Sequence, residues 1–207
     1  RFWDLKKKMF DFSLQAHTEE IYSVIEINED IIASCSSDKT IKLWNIKSKK
    51  CEYSYTGEDD PIICIIQLQD GRIASNYDNN TIRIWNKNST GKDVFLQGHM
   101  NYVVALCQVR NGNVISGSFD RSIKIWDLKD NSCAYTIKTH SVNCILELDD
   151  KRICSCSDDK TIKIYDLVVI KCTETLSGHS NIVNQIALST DKQYIVSCSD
   201  DMTIKLW

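Results

Sequence analysis

Apolar and polar residues alternate along this chain with a period of two, in short runs separated by turn residues. The stretch from Ser122 to Leu128 alternates in this way. Tyr102 to Val109 and Val114 to Ser118 are apolar and rich in β-branched residues, and a further run starts near Cys133. Asn111-Gly112 and Phe119-Asp120-Arg121 lie between them as turns. Period-two runs place alternate side chains on opposite faces of a strand, and β-branched and aromatic residues fit such a surface. No segment sustains a helical period, so the prediction is four short antiparallel strands in about 40 residues.

The same pattern returns along the chain. SSDKTIKLWN runs through Trp44, YDNNTIRIWN through Trp85, SFDRSIKIWD through Trp126, SDDKTIKIYD through Tyr165 and SDDMTIKLW to Trp207, with Trp3 as a further anchor. Successive anchors are 41, 41, 41, 39 and 42 residues apart. A four-stranded unit of this size cannot bury both faces alone, so neighbours must stack. Stacked about an axis they make a propeller. The repeats run approximately over 16–56, 57–97, 98–138, 139–177 and 178–207, with 1–15 the end of a preceding one, in a single domain 1–207.

A Gly-His pair or its remnant precedes the first strand of each unit, as Ala16-His17, Gly57-Glu58, Gly98-His99, Thr139-His140 and Gly178-His179. With the anchors, these residues resemble the WD-repeat (WD40-type) β-propeller family over the whole chain. The resemblance implies an all-β fold of four-stranded antiparallel blades. It also implies that the histidine pairs with a serine of the second strand, the turn aspartate and the anchor. The sets are His17, Ser34, Asp38, Trp44; His99, Ser116, Asp120, Trp126; His140, Ser155, Asp159, Tyr165; and His179, Ser197, Asp201, Trp207. In the second unit Glu58 and Asn79 replace histidine and aspartate together, which predicts the least rigid blade. His, Ser and Asp also make catalytic triads. A nucleophile is needed once, in a cleft, and not four times at one register, so these sets are expected to be structural.

Two strands precede His17, four full units supply sixteen, and the last supplies three. Pairing Phe10 to Leu14 with those three closes five blades and leaves out Arg1-Phe2-Trp3. Ends cut inside a strand favour instead an incomplete ring of a larger propeller, about seven-bladed as is usual in the family it resembles.

Charge and cysteine usage narrow the function. The net charge is −3, without the basic excess that nucleic-acid phosphates select, and no apolar run reaches membrane-helix length. Ten cysteines fall mostly at repeat-equivalent positions and form no CxxC pair. They read as small buried hydrophobes in an intracellular, cytoplasmic or nuclear, protein. No metal or cofactor is expected. Lys42, Arg83, Lys124, Lys163 and Lys205, each two before an anchor, are expected to pack their stems along the blade edge with their charges in water.

The resemblance places partners on the face carrying the loop into the first strand and the turn after the second. At those positions stand Glu20, Tyr22, Ser37, Pro61, Ile63, Asp78, Tyr102, Val104, Phe119, Asn143, Asp158, Ile182, Asn184 and Asp200. They vary where the scaffold positions repeat, and mix apolar anchors with acid. That composition suits a protein or peptide partner bearing an apolar anchor and basic residues. The expected function is a non-catalytic adaptor in a multiprotein complex. The alternative is the substrate-recognition module of a ubiquitin ligase, suggested by Leu68-Gln69-Asp70-Gly71-Arg72-Ile73-Ala74-Ser75; an enzyme ranks third, since no unrepeated polar cluster stands out.

Overall fold

The computed structural model describes residues 2–4, 6, 8–15, 17–57, 60–77, 80–86 and 92–207, with backbone alone at 2–4. Strands and turns account for the regular structure among them. β1 (Phe2–Asp4) and β2 (Met9–Phe12) pair as a two-stranded sheet. Blade 1 is β3 (Ile21–Asn28), β4 (Ile31–Ser36), β5 (Thr40–Asn45) and β6 (Lys50–Thr56). Blade 2 is β7 (Ile65–Gln67), β8 (Ile73–Tyr77), β9 (Thr81–Trp85) and β10 (Val94–Leu96). Blade 3 is β11 (Val103–Gln108), β12 (Val114–Ser118), β13 (Ser122–Asp127) and β14 (Ser132–Lys138). Blade 4 is β15 (Cys144–Asp149), β16 (Arg152–Cys156), β17 (Thr161–Asp166) and β18 (Lys171–Ser177). Blade 5 is three-stranded: β19 (Val183–Leu188), β20 (Ile195–Ser199) and β21 (Ile204–Leu206). Every sheet is an antiparallel meander in chain order, as the repeat predicts for propeller blades. β1, which a five-bladed closure would leave out, hydrogen-bonds to β2.

The chain falls into two compact units, Arg1–Ile63 and Cys64–Trp207. The first holds β1, β2 and blade 1; the second holds blades 2 to 5.

The turn between the second and third strands is built the same way in four blades. Lys39, Arg121, Lys160 and Met202 follow the turn aspartate and adopt φ of 66°, 63°, 72° and 64°. That left-handed conformation costs a residue with a Cβ about 1–2 kcal/mol. The aspartate offsets the cost by accepting the next backbone N–H, as Asp38 Oδ1 does from Thr40 at 3.0 Å and Asp159 Oδ1 from Thr161 at 3.0 Å.

In the second unit the core lies between successive sheets. Blade 3 is buried on both faces. Ile115, Ile123 and Ile125 pack against Val142, Ile145, Ile153 and Tyr165 of the blade 4 segment. Val114 and Trp126 pack the other way, against Ala74, Ile82 and Ile84 of blade 2. The alternation of Ile125 and Trp126 delivers one side chain to each interface. Each such aliphatic contributes about 1.5–3 kcal/mol by leaving water.

Backbone bonds also tie these blades together. The buried valines Val142 and Val183 donate their N–H to the carbonyls of Ser118 and Ser157, the residues at the ends of the preceding blades' second strands, at 3.3 and 3.0 Å. Gly117 makes room at this junction: a Cβ there would lie 2.3 Å from Val142 Cγ1, so the valine would have to shift.

Candidate functional site

The four repeated sets converge as hydrogen-bonded chains. In blade 3, Trp126 Nε1–H donates to Ser116 Oγ at 2.8 Å, and Ser116 and His99 Nε2 lie 2.6 Å apart. His99 Nδ1 meets Asp120 Oδ2 at 2.7 Å. Blade 1 repeats this with Trp44, Ser34, His17 and Asp38 at 2.9, 2.7 and 2.8 Å. Blade 5 does so with Trp207, Ser197, His179 and Asp201 at 2.9, 2.7 and 2.7 Å. An indole only donates and an ionised carboxylate only accepts. With the indole donating to the serine oxygen and Nδ1 facing the carboxylate, the serine hydroxyl is placed to donate its own proton to Nε2.

The electrostatics agree with that assignment. Burial pushes the His99 and His140 imidazoles below their ordinary value of 6.5, against the pull of Asp120 and Asp159. Burial works to raise the Asp38 carboxyl, but bonds from Thr40, the Thr18 N–H and His17 outweigh it and hold it at about 2. Asp120 and Asp159 are lowered in the same manner.

A fifth member joins each chain. The hydroxyls of Thr40, Ser122, Thr161 and Thr203 each donate to Oδ1 of the turn aspartate at 2.6 Å. Its signal in the sequence is a hydroxyl residue two positions after each of these aspartates.

The order Asp–His–Ser has the connectivity of a hydrolytic triad. Ser34, Ser116, Ser155 and Ser197 are at most 3% exposed, and each Oγ also binds its aromatic anchor. A substrate carbonyl cannot reach these hydroxyls.

Blade 4 carries a looser version. His140 Nδ1 stands 3.1 Å from Asp159 Oδ2, and the Asp159 side chain is 41% exposed against 9% for Asp120. The Tyr165 hydroxyl reaches Ser155 Oγ at 3.2 Å and Thr139 Oγ1 at 2.5 Å.

In blade 2, Trp85 Nε1 still donates to Ser75 Oγ at 2.8 Å. Arg83 departs from the expected water-reaching position. Its guanidinium lies 3.6 Å over the Trp85 ring and pairs with Asp93 at 2.6 Å, with a side chain only 18% exposed. A planar cation stacks on indole where a lysine would extend past it. Glu58, Asp78 and Asn79 lie outside the described residues.

The two groups of face positions meet through the backbone. Ser37 donates its N–H to the Glu20 carbonyl at 2.8 Å, Phe119 to Tyr102 at 3.1 Å and Asp200 to Ile182 at 3.0 Å. Tyr22 bonds Glu20 and Ser37 through its hydroxyl. Asn143 Nδ2 bridges Asp158 Oδ1 at 2.8 Å and the Val183 carbonyl at 3.0 Å, and Asn184 bonds Asp200 at 2.6 Å. Tyr22, Tyr102, Phe119 and Pro61 are exposed, whereas Ile63, Val104 and Ile182 are half-buried. Asn101 and Asn181 were not among the sequence candidates. Each caps the N–H of the next residue, Tyr102 or Ile182, and so fixes the entry to its strand.

A cavity of about 550 Å³ opens between the loops of blades 3 and 4. Phe119, Arg121 and Thr139 form one side; His140, Ser141, Ser157, Asp158, Asp159 and Lys163 form the other. It lies over the looser polar chain of blade 4. Among the described residues no group of three or more His, Cys, Asp or Glu could hold a metal ion, and no helix is long and apolar enough to cross a membrane.

The family model described as WD domain, G-beta repeat, matches residues 9–45, 49–86, 92–127, 131–166 and 170–207. No curated protein matches the chain. Each matched segment is offset from its sheet by one strand: 92–127 begins at β10, the outer strand of blade 2, and ends with β13. One repeat thus supplies strands to two blades. With matched segments over most of its length and the His–Ser–Asp–anchor chains in place, the protein belongs to the WD domain, G-beta repeat family.

Proposed function

We propose that the chain is a non-catalytic adaptor that receives a protein or peptide partner on the face carrying Tyr102, Phe119 and Asp158. Propellers of its family are generally protein-interaction scaffolds and are typically not catalytic. The observation that carries the reading is the cavity between blades 3 and 4. It joins an exposed aromatic wall, Phe119, to a rim of mixed charge, in which Asp158 and Asp159 stand beside Arg121 and Lys163, with Tyr102 bonded through its backbone to Phe119. Buried aromatics within a charged rim account for most of the energy in protein interfaces. The partner it suits brings an apolar side chain for the Phe119 wall and basic residues for Asp158, the rim carboxylate that Lys163 does not pair.

The net charge of −3 argues against a nucleic-acid partner. Ten cysteines, mostly at repeat positions and without a CxxC pair, support a reducing, intracellular setting, cytoplasmic or nuclear. An adaptor within a ubiquitin ligase would use this same face; the buried serines argue against an enzyme.

The test is a displayed peptide library panned against the wild-type chain and against a Tyr102→Ala/Phe119→Ala double variant. Enriched peptides should combine an aliphatic or aromatic residue with Lys or Arg and should lose binding to the double variant. The double variant should melt close to the wild type, because both side chains face water. Undiminished binding would remove this face from consideration.

A further inference from the structure

Four blades place an equivalent pair of residues directly opposite each other across their first two strands. The register gives Ser23 opposite Cys35, Ala105 opposite Gly117, Cys144 opposite Cys156 and Gln185 opposite Cys198. In blade 2 the Asn76 side chain bonds the Cys64 N–H at 3.0 Å. Only blade 4, among the described residues, sets two thiols against each other. Directly opposed residues of an antiparallel pair have Cα atoms about 4.5–5.5 Å apart, inside the range of about 4.4–6.8 Å that a disulfide spans. Opposed side chains also share a face, and these two point at blade 5, where Cys156 packs in the cluster of Val183 and Ile186, with Cys144 against it.

We propose that Cys144 and Cys156 form a peroxide-reactive dithiol, closing to a reversible disulfide across β15 and β16. The local chemistry assigns the order of events. The Cys156 thiol donates to the Cys144 sulfur, and this bond holds the Cys144 thiol below its ordinary value. Cys156 is pushed far upward by the same bond and by burial. Cys144 is only partly buried, whereas Cys156 is closed off from water. The thiolate is the nucleophile in such chemistry.

The Cys144 sulfur attacks one oxygen of hydrogen peroxide; the O–O bond breaks and an S–O bond forms. The released hydroxide takes up a proton and leaves as water. Cys156 then attacks the sulfenic sulfur; the S–S bond forms, the S–O bond breaks, and the second water carries off the Cys156 proton. Two thiols and one peroxide become one disulfide and two waters, with two electrons passed from sulfur to peroxide.

The experiment exposes the folded chain to hydrogen peroxide at neutral pH, blocks remaining thiols by alkylation, and maps crosslinks by mass spectrometry without reduction. The expected product is a Cys144–Cys156 crosslink, lighter by two hydrogens, that appears before any other crosslink and is reversed by dithiothreitol. In Cys156→Ser, a sulfenic acid should accumulate on Cys144 and be captured by dimedone. The exposed thiols Cys51, Cys172 and Cys198 serve as internal references. Oxidation of those three with no Cys144–Cys156 link overturns the proposal, as does a link that forms only in urea. Should Cys156→Ser fail to fold, the wild-type map still decides.

Discussion

Blades 3 and 4 carry the same chain of buried polar groups, sealed in one and open in the other. In blade 3 the His99–Asp120 bond is 2.7 Å, Asp120 is covered and an indole closes the chain. In blade 4 the corresponding distance is 3.1 Å, Asp159 faces water and a phenol stands at the anchor. Two fewer residues separate His140 from Tyr165 than His99 from Trp126. The phenol is shorter than an indole and bonds back to Thr139. The difference shows where a repeated scaffold can become a site. Blade 3 borders a smaller cavity of about 390 Å³ through Asp120 and Ser122 but keeps Asp120 only 9% exposed, whereas blade 4 contributes His140, Asp158 and the 41% exposed Asp159 to the wider one.

Removing the histidine tests the contrast most severely. His99→Ala leaves the Ser116 hydroxyl and an ionised Asp120 buried without their partner, and should cost about 3 kcal/mol. His140→Ala should cost about half as much, because Asp159 is rehydrated in place. Urea denaturation of both variants measures the difference, and equal losses would erase the distinction between the blades.

The junction between these two blades provides the next effect. Gly117→Ala forces a methyl against Val142 and should destabilise by about 1–3 kcal/mol. Adding Val142→Ala should recover part of that loss through the relieved clash, which the same denaturation curves would show as non-additivity.

Acid should act on both blades. His99 and His140 are held below 6.5 when folded, so the unfolded chain takes up protons first. The stability they lend is complete above pH 6.5 and declines as the pH falls below it. A second decline begins near pH 3.8, as Asp38, Asp120 and Asp159 lose the ionised form their partners hold. Melting temperatures across this range should show the first decline in the wild type and a flatter course in a His99→Gln/His140→Gln variant.

Blade 2 gives a smaller effect. Arg83→Lys keeps the charge near Asp93 but loses the flat contact with Trp85, for about 0.5–1 kcal/mol. Thermal melting resolves a loss of that size.

Much of the fold was legible because the repeat is local. Anchor spacing, period-two runs and turn residues identified the strands, and the resemblance to the WD-repeat family supplied the pairing in all four polar chains, each of which lies within one repeat's length of sequence. The hydroxyls of Thr40, Ser122, Thr161 and Thr203 were equally local but stood outside the family pattern that directed attention. Arg83 was misread because stacking on Trp85 depends on χ angles and on Asp93, just before the next strand. The face positions were placed by offset alone. Whether each is presented or tucked in depends on its neighbours, so Phe119 stays open while Val104 and Ile182 are half covered.

By itself, the sequence determined that this protein is a series of four-stranded repeat units, and its resemblance to the WD-repeat family pointed to the polar residues that lock four of them. Those features follow from side-chain alternation and from polar groups that must be satisfied within about 40 residues of one another. Only the tertiary structure decided that blade 4 opens beside Phe119, that Asn143 is bound to blade 5, and that Cys144 faces Cys156. These depend on strand register and on the approach of neighbouring blades, which one bulge or two missing residues can reset without disturbing the pattern of the repeat.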